Sequence, residues 1–293
     1  MSTIARSNLR IIGLFLFIIL SWGLSWPINK LGLGYMSPLW YTSIRLLIGT
    51  STMMALVIAL DKFALPRLKD MPLILIIGLL QISFYVFLTN LGLNYIPAGR
   101  ASLLAYTTPL WIMPIAVFVF QEKHSRLKWA GFLFGIVGLI ILMSPWEFDW
   151  TDRNVLFGTA MLLLASLSWA VSMLCARYMH WTKSPLELIP WQLLIGTIPI
   201  LIFTYVKEPT LHITWGTPLI LSLAYTGILV TGISYWSGVI INKELPTLAV
   251  SLGFLAVPVL SLLSSAFFMH EMISFTTACA VGMILAGLVL VVV

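Results

Sequence analysis

The sequence predicts an all-α membrane protein: ten transmembrane helices arranged as two inverted five-helix repeats, with both termini cytoplasmic. Three observations predict it. Only 9% of the 293 residues are charged while 60% are hydrophobic, whereas a domain facing water carries about 25% charged residues. The apolar residues fall into runs of membrane-crossing length, about 20 residues of helix. And the second half of the chain repeats the first.

In chain order the apolar runs lie near 9–29, 38–60, 71–92, 99–120 and 127–146, then 155–176, 186–206, 216–241, 247–268 and 273–293. Each is expected to be helical, because hydrocarbon offers an open backbone no hydrogen-bond partner. The first run follows Arg6 and Arg10 but is too long for the core of a leader, and no small-residue cleavage pattern follows it. It is therefore kept as the first helix. Turn formers such as Met36-Ser37-Pro38 and Ser184-Pro185 separate neighbouring runs.

Orientation follows from the basic residues. With the N-terminus inside, the inner segments collect Arg6, Arg10, Lys62, Arg67, Lys69, Lys123, Arg126, Lys128, Arg177, Lys183 and Lys243. The outer segments hold only Lys30, Arg100, Arg153 and Lys207, and Arg45 falls within a span.

The repeat is read at two offsets. Leu20-Ser21-Trp22 recurs as Leu167-Ser168-Trp169, Ser25 as Ser172, Lys30 as Arg177, and much of 37–50 recurs over 184–197, all 147 positions on. Pro97, Ser102, Pro109, Glu122, Gly138 and Leu139 recur 149 positions on as Pro246, Ser251, Pro258, Glu271, Gly287 and Leu288. The halves are therefore divided as 1–147 and 148–293. Five helices is an odd number, so the second copy enters the membrane from the opposite side. Inverted repeats of this kind are characteristic of secondary transporters, whose site lies near the midplane between the copies. A duplicated scaffold without transport is the plain alternative.

The chain resembles the EamA-type, ten-helix members of the drug/metabolite transporter superfamily over essentially its whole length. The residues carrying the resemblance are Ser21-Trp22-Gly23 with Ser25, Ser37-Pro38-Leu39 with Arg45 and Leu46, and Pro97-Ala98-Gly99-Arg100-Ala101-Ser102-Leu103-Leu104. Thr108-Pro109-Leu110, Glu122 and the glycines Gly131, Gly135 and Gly138 complete them. The second copy departs in having Gln192 at the place of Arg45 and Phe254-Leu255 at the place of Ala105-Tyr106. The resemblance implies export of small metabolites, often amino acids, through a central cavity lined by helices 1, 3, 4, 6, 8 and 9.

The titratable inventory bears on mechanism. All ten acids, and the histidines His124, His180, His212 and His270, fall in connectors or within about one turn of a helix end. Proton-driven carriers commonly keep a carboxylate or histidine inside the membrane. Its absence near the midplane favours a facilitator, with Glu122 and Glu271 as gate candidates. The same absence argues against an intramembrane hydrolase, since no base lies at the depth of the serines. No catalytic residue, cofactor or metal site is expected. Cys175 and Cys279 sit in apolar runs and make neither a disulfide framework nor a metal quartet. The net charge of +6 forms no basic patch, which excludes nucleic acid as a partner.

Cavity candidates are residues that are costly against lipid or paired by the repeat. The third span carries Gly78, Gln81, Tyr85, Thr89 and Gly92 at helical spacing, a stripe that faces protein or a wet path. In the eighth, Gly227, Thr231, Ser234 and Gly238 are read as close-packing positions beside Tyr235. Trp22, Trp111 and Trp169 lie deep, with Ser21, Ser25, Ser168 and Ser172 nearby, whereas Trp26, Trp40 and five others read as interfacial anchors. The expected cavity set is Trp22, Ser25, Gln81, Tyr85, Tyr106, Trp111, Trp169, Ser172 and Tyr235; helix packing is the alternative for each. Pro109 and Pro258 are expected mid-helix as hinges, freeing the carbonyls of Ala105 and Phe254. Arg45 is assigned to snorkelling or to helix-end carbonyls ahead of substrate contact, because the resemblance puts it on a helix peripheral to the cavity. Gly131 and Gly135 are read as packing within the bundle, so no oligomer is required and a monomer is expected.

The resulting expectation is an inner-membrane (cytoplasmic-membrane) exporter of small metabolites, amino acids with apolar or aromatic side chains foremost, working by alternating access. Its partners are the small-molecule substrate and the lipid bilayer. A proton-coupled drug or metabolite exporter, a passive channel and a non-transporting scaffold remain open alternatives.

Overall fold

A computed structural model describes residues 3–123, 125–147, 149–269 and 275–292. Ten helical segments follow one another: α1 (Thr3–Leu33), α2 (Pro38–Ala59), α3 (Met71–Ile76, Ile77–Phe84 and Tyr85–Tyr95), α4 (Ala98–Ala105 and Thr108–Phe118) and α5 (Arg126–Met143). The second half gives α6 (Arg153–Tyr178), α7 (Pro185–Lys207), α8 (Thr217–Ala224, Tyr225–Ser234 and Tyr235–Glu244), α9 (Thr247–Gly253 and Ala256–Met269) and α10 (Phe275–Val292). Nine helices among the described residues are long and apolar enough to cross a membrane, and α10 adds an apolar helix of 18 residues. Phe118 is 82% exposed and Phe275 85%. In water those rings would be unfavourable; against lipid they are at home.

Local chemistry sets the helix ends. Ser37 caps α2 by accepting the Trp40 N–H, with Pro38 in the first turn, where its missing N–H costs nothing. Ser184 begins α7 in a capping box with Glu187, and Ser125 and Asp152 cap α5 and α6. In the connector between the halves, the Thr151 hydroxyl and N–H hold the Asp149 carboxyl below the usual carboxylate range.

Two irregularities recur in both halves. The middles of α3 and α8, Ile77–Phe84 and Tyr225–Ser234, wind as π-helix. In α8 the hydroxyls of Thr231 and Ser234 donate to carbonyls five residues back, Thr226 and Leu229, as a π turn permits. Both π segments stop immediately before a tyrosine, Tyr85 or Tyr235. The fourth and ninth helices are broken instead. Pro109 opens the second piece of α4 rather than kinking a continuous helix, and α9 breaks at 254–255, ahead of Pro258. The carbonyls of Ala105 and Phe254 are not left open as expected: the first accepts the Thr108 hydroxyl and the second the Val257 N–H.

The copies touch through equivalent residues. Thr50 and Thr197, 147 positions apart, share a hydroxyl–hydroxyl hydrogen bond of 2.9 Å. Lys30, ending α1, donates to the carbonyls of Leu93 and Asn94 at the end of α3. Arg177, its counterpart on α6, donates to Asn242 and Lys243 at the end of α8. A Cβ on Gly49 of α2 would lie 3.1 Å from the Gly227 carbonyl oxygen of α8, and one on Gly196 of α7 would lie 2.5 Å from that of Gly78 on α3. Gly287 of α10 packs against Gly131 and Gly135, so those glycines are spent inside the bundle.

Candidate functional site

A cavity lies between α1, α2, α3, α4, α6 and α8. α1 contributes Trp22, Ser25, Trp26 and Asn29; the π segment of α3 and the turn after it contribute Gln81 and Tyr85, with Thr89 beyond. Tyr106 comes from the break in α4, Trp169 from α6, and Thr231 and Tyr235 from the π segment of α8 and its end. Each irregular stretch thus sends side chains inward. A π turn widens the helix and staggers its ladder, and a proline break turns the chain; both place polar groups where a regular helix would present another face.

One wall is aromatic. Trp22 and Trp169 meet edge to face at 5.5 Å, and Tyr85 lies 4.5 Å from Trp169. Trp26 and Tyr106 form a second pair at 6.3 Å. A second, smaller void also borders Trp22, Trp169, Gln81 and Tyr235, and reaches Asn242 near the end of α8. Phe254, from the α9 break, stands 5.0 Å from Trp22 and lines this second void. α9 therefore reaches the smaller void, while α2, absent from the expected list, lines the larger.

The reason is Arg45. It is 8% exposed and lines the cavity. Its Nε–H donates to Thr231 Oγ1 at 2.9 Å and its Nη1 to Asn29 Oδ1 at 3.3 Å. The expectation that it snorkels or binds helix-end carbonyls is therefore corrected. Close contact at Gly49 and Gly227 sets α2 against α8, within reach of the Arg45 bond to Thr231 on α8. Trp26 is corrected likewise. α1 continues through Pro27 to Leu33, so this tryptophan lies a full turn and more inside the helix, 4% exposed, and not at its end.

Of the expected cavity residues, the structure gathers Trp22, Ser25, Gln81, Tyr85, Tyr106, Trp169 and Tyr235 around the one cavity. Ser172 stands behind it, donating to Gln81 Oε1 at 3.0 Å. Trp111 does not reach the cavity, and its indole nitrogen is buried without a partner among the described residues. Ser21 and Ser168 tie helices together, through Ser234 and the Leu80 carbonyl. Pro109 and Pro258 are buried beside the two breaks. Glu122 lies outside the cavity and accepts the Tyr178 hydroxyl, while Phe120 stacks on Tyr178 at 4.2 Å. Glu271, its equivalent, lies outside the described residues, as do His124 and His270. Sequence reasoning missed Arg45, Asn29, Trp26 and Thr231 as lining residues. Arg45 alone carried a usable signal, as the sole charge well inside a span.

The family described as the EamA-like transporter family matches residues 9–144 and again 156–293. The chain is 25% identical over 271 residues to the uncharacterized transporter YoaV of Bacillus subtilis (strain 168), covering 92% of both chains. It is 31% identical to a probable amino-acid metabolite efflux pump of Salmonella typhimurium (strain LT2), over 95% of this chain and 91% of that one. A crystal structure superposes with a TM-score of 0.73 over 94% of this chain and 98% of its own, at 21% identity. That last likeness concerns the fold alone.

Proposed function

Because this chain belongs to the EamA-like transporter family, a family of multi-pass membrane transporters, we propose that it exports small metabolites from bacterial cells across the inner membrane. Amino acids with apolar or aromatic side chains are the leading substrates. The carrying observation is a cavity walled by Trp22, Trp169 and Tyr85 and set between two sequence copies. An aromatic wall with hydroxyl and amide groups opposite suits a solute that is apolar at one end and polar at the other. The name of the Salmonella relative, an amino-acid metabolite efflux pump, agrees with this choice.

Alternating access is the mechanism we assign. Contacts between equivalent residues, such as Thr50 with Thr197, arise where two copies meet about a two-fold axis. With five helices in each of 1–147 and 148–293, such an axis lies in the membrane plane and the copies are inverted, with both termini inside. Exchanging the conformations of the two halves then moves the opening from one face to the other. The nine described acids lie in connectors or near helix ends, which supports facilitated efflux over coupling through a buried carboxylate.

The test is release of labelled amino acids from proteoliposomes, with and without an imposed pH gradient. Saturable release indifferent to the gradient is expected. Release that requires the gradient would replace facilitation with proton coupling, and Glu122 would be substituted first. Non-saturating flux would mean a channel, and no flux of any amino acid would sink the amino-acid reading.

A further inference from the structure

We infer that Arg45 is the anchor for a carboxylate on the transported molecule, and that the cavity offers no carboxylate among its described lining residues to pair an ammonium group; the inference rests on the transport reading above and names its substrate class. The selected class is an apolar or aromatic monocarboxylate, with amino acids accepted through their carboxylate end.

A guanidinium presents five N–H donors in a rigid fork suited to two oxygens of one carboxylate. Two protein acceptors meet it, Thr231 Oγ1 and Asn29 Oδ1, and both are neutral. Asn29 Oδ1 also accepts the Tyr41 hydroxyl at 3.1 Å, which fixes the amide and hence the direction of the arginine. Among the described residues no carboxylate forms a salt bridge with Arg45, and none lines the cavity. A charge held out of water without a counter-ion is costly, and a stability role would be served as well by a neutral side chain. Gln192, standing at the equivalent place in the second copy, is such a side chain. Arg45 is therefore a buried cation that an anionic ligand would complete.

Cavity composition then fixes the rest of the ligand. Trp22, Trp169 and Tyr85 form the wall for an apolar body. With one cation lining the space, a second anionic group on the ligand would be left unpaired. An ammonium group would find hydroxyls, amides and ring faces but no carboxylate among the described lining residues, and a ring face holds it less strongly than the guanidinium holds a carboxylate. Removing the amine from an aromatic amino acid is thus tolerated, and removing the carboxylate is not.

The experiment compares three competitors of labelled phenylalanine counterflow in proteoliposomes holding the full chain: phenylalanine, 3-phenylpropionate and 2-phenylethylamine. We expect 3-phenylpropionate to compete within about threefold of phenylalanine, and 2-phenylethylamine to be at least about tenfold weaker. In Arg45→Gln the gap between the two single-ended compounds should collapse, whereas a merely structural arginine would weaken all three alike. Equal competition by both in the wild type, or an unchanged gap in a folded Arg45→Gln, overturns the inference. Should Arg45→Gln fail to fold, the wild-type ranking alone decides. Should no compound show saturable flux, the transport reading fails, and the unfolding midpoint of the purified protein decides instead. A midpoint raised by both carboxylates and not by the amine still supports the anchor; any other pattern overturns it.

Discussion

Trp22 of α1 and Trp169 of α6, equivalent positions in the two copies, meet edge to face with ring centroids 5.5 Å apart. Both border the larger cavity and the smaller void, so the pair stands between the two spaces. On the alternating-access reading proposed above, residues paired by the repeat that also touch each other would lie where a carrier must keep its two sides from joining.

The first prediction concerns that partition. Trp22→Ala costs about 3 kcal/mol of stability by removing a buried ring and raises a non-saturating leak of substrate through proteoliposomes. Trp22→Phe keeps an aromatic edge and retains saturable flux. A tight, saturable Trp22→Ala carrier would show that the pair does not separate the spaces.

Close helix crossings are the second. Gly196→Ala places a methyl group 2.5 Å from the Gly78 carbonyl oxygen, backbone that cannot step aside. We expect a loss of about 1–3 kcal/mol, read as a lowered unfolding midpoint in detergent. Among the described residues no atom lies within 4 Å of where a Cβ on Gly13 or Gly282 would stand, so their alanine variants should unfold no earlier than the parent, with up to about 1 kcal/mol gained from helix propensity.

Lys30 and Arg177 provide the third, since each caps the carbonyl end of a helix in its own half. Cations at such ends contribute on the order of 1 kcal/mol through hydrogen bonds and the helix dipole. Lys30→Met and Arg177→Met should lower the unfolding midpoint by similar amounts, and the double variant by about their sum, because the sites are far apart. A loss confined to one variant would mean that the two caps are not equivalent.

A fourth prediction separates gating from stability. Tyr178 ties the end of α6 to the segment after α4 by its hydroxyl on Glu122 and its ring on Phe120. Leu31, at its equivalent position 147 residues earlier, has no hydroxyl to make such a tie. Tyr178→Phe keeps the stack, so its unfolding midpoint should move by less than about 1 kcal/mol. Its flux should change unequally in the two directions across the membrane. Equal flux in both directions would exclude a one-sided latch.

What the sequence by itself determined is the part governed by short-range physics. Hydrocarbon-length runs had to be helices, and the nine long spans found among the described residues start and stop close to the positions that capping serines, prolines and charge gaps mark. The repeat was legible because glycines, prolines and tryptophans at equal offsets serve equal contacts. Seven of the nine expected cavity residues came out around one space because polar stripes avoid lipid. Only the tertiary structure decided which face each irregular helix presents. The π turns of α3 and α8 shift their side chains out of the 3.6-residue register on which sequence reasoning depends. Trp26 lines the cavity because α1 runs on past it to Leu33, whereas Trp111 misses the cavity because depth along the chain does not fix direction around the helix, and packing does. Arg45 shows it most sharply, since the partners that hold its charge inward, Thr231 and Asn29, come from helices far away in the chain or on another span.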